Sequence, residues 1–136
     1  IHAGSSLWFE NGFSELGWGD KILLAIDCVE RVLPLFEKKH PRDDRPRRAL
    51  EVARAFAYDS VSESEVWASV NAATTAAHCV INDDWPAAKA ALAASLVAIK
   101  PAAAMSEYMA AGGDDKGTWR WQRLLHYLND TSQSVG

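Results

Sequence analysis

Cysteine is scarce in this chain. Cys28 and Cys79 are its two thiols, and neither belongs to a CxxC or other ligand-spaced pair, which excludes a disulfide framework and a thiolate metal site. Two small, buried, reduced thiols in an intracellular protein are the simplest reading, with a single Cys28–Cys79 bridge as the alternative. Long apolar runs are also missing. The longest, Ala87 to Ile99, carries Lys89 and Ser95 and falls short of the roughly 18–20 apolar residues of a membrane span. Alternating β-branched residues are absent, so no segment reads as a strand. No fixed-period repeat marks a solenoid. Walker, GxGxxG, GxSxG and HExxH motifs are all missing, which removes the usual signatures of nucleotide, hydrolase and zinc chemistry.

What remains is an ordinary globular composition: 136 residues, 49% hydrophobic and 24% charged. One domain over residues 1–136 is expected, large enough to bury a core without a metal. The chain opens on Ile1 without an initiator Met, and its first Met is Met105. Ile1 to Glu10 lacks the basic start and apolar stretch of a signal peptide, so a true beginning upstream of Ile1 is expected rather than a cleaved leader. Residues 1–19 read as a loop or arm whose Trp8, Phe9, Phe13 and Trp18 pack on the body.

From Asp20 onward the pattern is helical. Asp20 caps a first helix with apolar residues at Leu24, Ile26, Val29, Val32, Leu33 and Phe36, weakened by Pro34. Asp27 and Arg31 can pair at i and i+4. Asp44 and Pro46 start a second helix that runs to about Tyr58, with Arg47–Glu51 and Glu51–Arg54 as neighbouring pairs. Ser62 and Glu65 form a capping box for a third helix, with core positions Val66, Val70, Ala73, Ala77 and Val80. Asp84 and Pro86 open a fourth, Ala-rich helix through Ile99. A fifth spans about Ala102 to Ala111, and the glycines and aspartates after it form the clearest loop. Thr118 caps a sixth helix from Trp119 to about Asn129, and residues 131–136 should fray. The fold class is therefore all-α, a bundle of about six helices with Ala-rich middle helices closely packed.

Chemistry is thinly signalled. His2, His40, His78 and His126 lie on separate elements without metal-ligand spacing. His78 sits on a polar stripe with Asn71, Thr74 and Asn82, where a hydrogen-bonded histidine beside solvent is the plain reading. Asp43–Asp44, Asp83–Asp84 and Asp114–Asp115 fall at helix starts or loops, where capping and solvation account for them. No catalytic, cofactor or metal site is expected. Trp119 and Trp121 open the last helix on different faces, with core packing favoured for both.

Charge is more informative. Lys38 to Arg54 holds seven basic and three acidic residues, net +4, leaving −8 for the rest of a chain that is −4 overall. Arg42, Arg45, Arg47 and Arg48 form a candidate docking patch. Asp83, Asp84, Asp114 and Asp115 form a candidate acidic rim. Nucleic acid is disfavoured, because Arg47 and Arg48 diverge by roughly 100° on a helix and cannot share one groove.

Three stretches resemble a known family. Asp27-Cys28, Val32-Leu33-Pro34, Asp44-Arg45-Pro46 and Ala76-Ala77-His78 are similar to the pattern of small helical bacterial immunity proteins, proposed antidotes to polymorphic toxins. The likeness is strongest over residues 20 to 80. Ala87 to Met109 contains no His, where that family's helices are richer in it. The resemblance implies a non-enzymatic, cytoplasmic, partner-binding protein that masks a toxin, with self-association open, and it supplies no catalytic residues. The alternative reading is a small-molecule-binding or modifying protein with an inter-helix pocket near His78 and Asp27.

Overall fold

The computed structural model describes residues 6–113 and 118–135, with side chains from 9 to 113 and from 118 to 129. Among these residues there are helices and no strands. The helices are α1 (Ser6–Ser14), α2 (Trp18–Val32), α3 (Pro34–Glu37), α4 (Arg45–Ala57), α5 (Glu63–Val80), α6 (Trp85–Leu96), α7 (Pro101–Ala110) and α8 (Thr118–Val135). The all-α class expected from the sequence is what the structure has. Two elements lie beyond the expected six: α1 and the short α3.

The bundle is built around α6. Ala87, Ala88, Ala90, Ala91, Ala93, Ala94 and Ser95 are all buried, so the helix is apolar on nearly every side, as an element enclosed by others must be. It touches α2, α3, α4, α5 and α7. Alanine permits this, because its small side chain shortens the interaxial distance while keeping the best helix propensity. Ser95 is satisfied locally, its hydroxyl donating to the Leu92 carbonyl at 2.6 Å. The second central helix is α2, which buries Ile22, Leu24, Ala25, Ile26, Cys28, Val29 and Val32. It meets α4, α6, α7 and α8.

Local chemistry sets the breaks. Pro34 has no N–H to continue the ladder of α2, and it becomes the first residue of α3 after the αR residue Leu33. The Ser62 hydroxyl accepts from the Glu65 N–H at 3.3 Å, one half of the expected capping box. Asp84 accepts from the Ala87 N–H at 3.2 Å. Two helices end in Schellman turns. After α4, Ser60 N–H reaches the Ala55 carbonyl at 2.8 Å, with Asp59 at φ 59°. After α7, Gly113 N–H reaches the Tyr108 carbonyl at 3.1 Å, with Gly112 at φ +85°. A Cβ on Gly113 would fall 2.1 Å from the Tyr108 ring, so that position also needs the bare backbone.

Several expectations are corrected. Residues 1–19 are not simply an arm, because 6–14 is helical and α2 begins at Trp18 with Gly17 as its N-cap; Asp20 lies inside the first turn. Phe9 and Phe13 are buried as expected, but Trp18 is 51% exposed, and the Trp8 side chain lies outside the described residues. Residues 131–135 of the stretch expected to fray belong to the end of α8, and Gly136 lies outside the described residues. The fourth helix stops at Leu96, not Ile99, because Pro101 already begins α7. Asp44 makes no side-chain cap. Cys28 is buried and Cys79 exposed.

Candidate functional site

The basic segment folds into a corner between α3 and α4 and is largely neutralised from within. Asp43 takes the capping part expected of Asp44. Its Oδ1 accepts the Arg45 backbone N–H at 3.2 Å, and its two oxygens receive the Arg45 guanidinium at 2.8 and 2.7 Å. That guanidinium holds the Asp43 carboxyl below its ordinary range, and the carboxylate in turn raises Arg45. Arg47 forms a two-point bond with Glu37 at 2.9 and 2.7 Å and reaches Glu30 at 3.3 Å. The Arg47 bonds lower Glu37 and raise Arg47 itself. Arg54 also meets Glu30, at 3.3 Å. The expected Arg47–Glu51 and Glu51–Arg54 pairs are replaced by these contacts, since a two-point arginine–carboxylate bond between helices outweighs an exposed pair along one helix.

The acidic rim is likewise partly engaged. Asp84 is ion-paired with Lys39, which, with the Ala87 N–H, lowers its carboxyl. Asp83 is exposed. Asp114 and Asp115 lie outside the described residues. Among the described residues, Arg42 and Arg48 are exposed and carry no ion pair. With Lys38, also exposed and without an ion pair, they are the cations of the segment not bound to a carboxylate among the described residues.

Asp27 and His78 are not brought together. Asp27 faces α8, where its Oδ2 accepts from Arg123 Nε at 3.2 Å, Arg123 Nη2 at 2.6 Å and the Tyr127 hydroxyl at 2.6 Å. Burial and the Asp27 carboxylate push the Tyr127 phenol up, and Asp27 raises Arg123. Arg31, expected to pair with Asp27, instead lies 4.3 Å over the Trp119 ring. Trp119 and Trp121 are half-buried and packed on the core. His78 is on the exposed face of α5. Among the described residues no cluster of three or more His, Cys, Asp or Glu could hold a metal, and no helix is long and apolar enough to cross a membrane.

A family model described as "Imm-5 like putative immunity protein" matches residues 21–110, about two thirds of the chain. The chain belongs to this family. No curated protein and no solved structure matches it. The Imm-5-like segment covers α2 through α7, so α1 and α8 form a layer outside it.

A second surface was not read from the sequence. Three open concavities follow one another along shared walls. The first, about 380 Å³, lies between α1, α7 and α8 and is lined by Phe9, Phe13, Met105, Met109 and Arg120. The second, about 540 Å³, has Phe13, Trp18, Lys21, Ile99, Lys100 and Pro101. The third, about 300 Å³, has Trp18, Phe56, Val66, Trp67 and Ile99. Trp67 is 52% exposed. One signal was available: Trp67 falls off the Val66–Val70–Ala73–Ala77–Val80 stripe by about 100°, a position that turns an indole away from the core.

Proposed function

We propose that this protein neutralises a protein toxin by binding and masking it, without chemistry of its own, in the cytoplasm of the cell that makes it. Membership of the Imm-5-like family carries this reading. The physical setting agrees with it. A rigid, Ala-packed bundle presents a preformed surface, so little conformational entropy is lost on binding. Two cysteines outside any ligand-spaced pair suit a reducing compartment. Of the two charged patches, the α3–α4 corner is the better steering element, because Arg42 and Arg48 keep their charge while Asp84 is held by Lys39. Arg45 and Arg47 shape the corner that presents them.

The test is co-expression with the product of the neighbouring gene. That product is expected to stop host growth alone, to be silenced by this protein, and to co-purify with it in fixed stoichiometry. Growth arrest that persists despite a folded, abundant Imm-5-like chain would refute the reading for that pair. Arg42→Glu with Arg48→Glu is expected to slow association about tenfold and flatten its salt dependence, with dissociation little changed. This pair leaves the Arg45–Asp43 bond intact, so the start of α4 keeps its geometry.

A further inference from the structure

The three chained concavities form one groove. Its first and second parts share Phe13, Ala102 and Ala103, and its second and third share Trp18 and Ile99. Its walls come from α1, the start of α2, the end of α4, the start of α5, the turn after α6, α7 and, through Arg120, the start of α8. Its surface is mostly aromatic and aliphatic. Trp18 and Trp67 stand on its rim, 51% and 52% exposed. An indole left half in water is the kind of side chain that dominates the energy of protein interfaces once covered. Two of them on one open groove mark a docking surface, not a pocket for a small molecule, which would be enclosed on most sides.

Charge says what covers it. Lys21 and Lys100 both line the middle part, and neither has an ion-pair partner among the described residues. The Lys21 ammonium rests 5.9 Å from the Phe13 ring centroid, which orients it along the apolar wall. Glu10 lies on the wall of the first two parts and Glu63 at the far end, so the cationic stretch is the middle one. The α3–α4 corner differs, because most of its cations are already bound to carboxylates of this chain.

We propose that this groove is the anchoring site for the protein partner, and that it takes a segment of that partner in which large apolar side chains flank one or two carboxylates. The apolar side chains fill the spaces beside Trp18, Trp67 and Phe13. The carboxylates meet Lys21 and Lys100. The inference rests on the partner-binding reading and deepens it by naming the surface.

Its test requires no knowledge of the toxin. A library of random 16-residue peptides displayed on phage is selected on the intact protein. Enriched peptides are expected to share an aromatic or leucine beside Asp or Glu. Synthetic copies should lose affinity about tenfold or more on Trp67→Ala or Trp18→Ala, and about fivefold on Lys100→Glu or Lys21→Gln. Glu51→Gln, exposed on α4 and outside the groove walls, should leave them unchanged. Circular dichroism and thermal melts establish that each variant is folded, and Lys100→Glu, at an exposed turn, keeps the charge arm readable if Lys21→Gln is not. Selection of nothing, of peptides without carboxylates, or of peptides indifferent to both tryptophans overturns the proposal. A sedimenting dimer that Trp18→Ala with Trp67→Ala dissociates also overturns it, by giving the groove to a second copy. If co-expression finds no silenced toxin while the peptides behave as expected, the toxin reading fails and the groove stands. If a toxin is silenced equally well by the tryptophan variants, the groove fails and the toxin reading stands.

Discussion

A single oxygen, Asp27 Oδ2, accepts three hydrogen bonds from α8. Removing its charge while keeping its shape leaves the Arg123 guanidinium without a counter-charge and offers it and the phenol only a neutral amide oxygen, a weaker acceptor. Asp27→Asn is therefore expected to lower stability by about 1–3 kcal/mol in urea unfolding. Amide exchange should speed up in α8 and barely change in α6. Equal acceleration in both helices would mean that the contact supports the whole bundle and not the seam. The sequence offered Arg31 as the partner of Asp27, four positions away. Arg123 lies 96 positions away, and a partner at that distance is chosen by how helices meet, which no local spacing encodes. The same holds for Arg47 and Glu37. Asp59 is different: its left-handed conformation follows from its place just past the end of α4, yet without a glycine there the sequence did not advertise the turn.

At the scale of the element, the helices legible in the sequence were those with strong local signals. Ser62, Asp84, Pro34 and Pro101 mark their boundaries through caps and missing donors, and the Val66 to Val80 stripe gives the buried face of α5. α1 escaped because its nine residues have no acidic first turn and no basic last turn; it is held by packing, with Gly12 placed where a Cβ would meet a Leu124 methyl at 2.7 Å. α6 was legible as a helix, but its central place was not, since alanine suits an exposed and an enclosed helix equally. Ala91, with no exposed surface, tests that place. Ala91→Leu is expected to cost about 1–3 kcal/mol by overpacking, measured by urea denaturation, whereas Ala110→Leu on the exposed side of α7 should be nearly neutral. The groove was the least legible feature, because its walls come from seven separate stretches of chain.

For the whole molecule, pH dependence follows from carboxyls tied to cations. Glu37, Asp43 and Asp84 are all lowered from their ordinary values, by Arg47, Arg45 and Lys39 respectively. A lowered carboxyl stabilises the fold fully above its unfolded value and loses that contribution as pH falls through the folded one. The urea midpoint is therefore expected to stay level from about pH 7 to 5 and decline below about pH 4.5. Glu37→Gln should make the decline shallower, and an unchanged slope would remove the α3–α4 network from the acid response. Tyr127 works in the opposite sense. Its phenol is raised, so its contribution is present below its ordinary 10.0 and fades as pH climbs past that value toward the higher folded one. The layer made by α1 and α8 has a consequence in time. A ribosome releases α2 long before α8, so the Asp27 side of α2 waits through most of synthesis for its cover. Closing so long a loop comes late, after the local helix pairs have formed. Phe9 and Phe13 from one end of the chain and Arg120 from the other line the same concavity. A nascent chain thus has no complete groove to offer, and competence to bind arrives with the last helix.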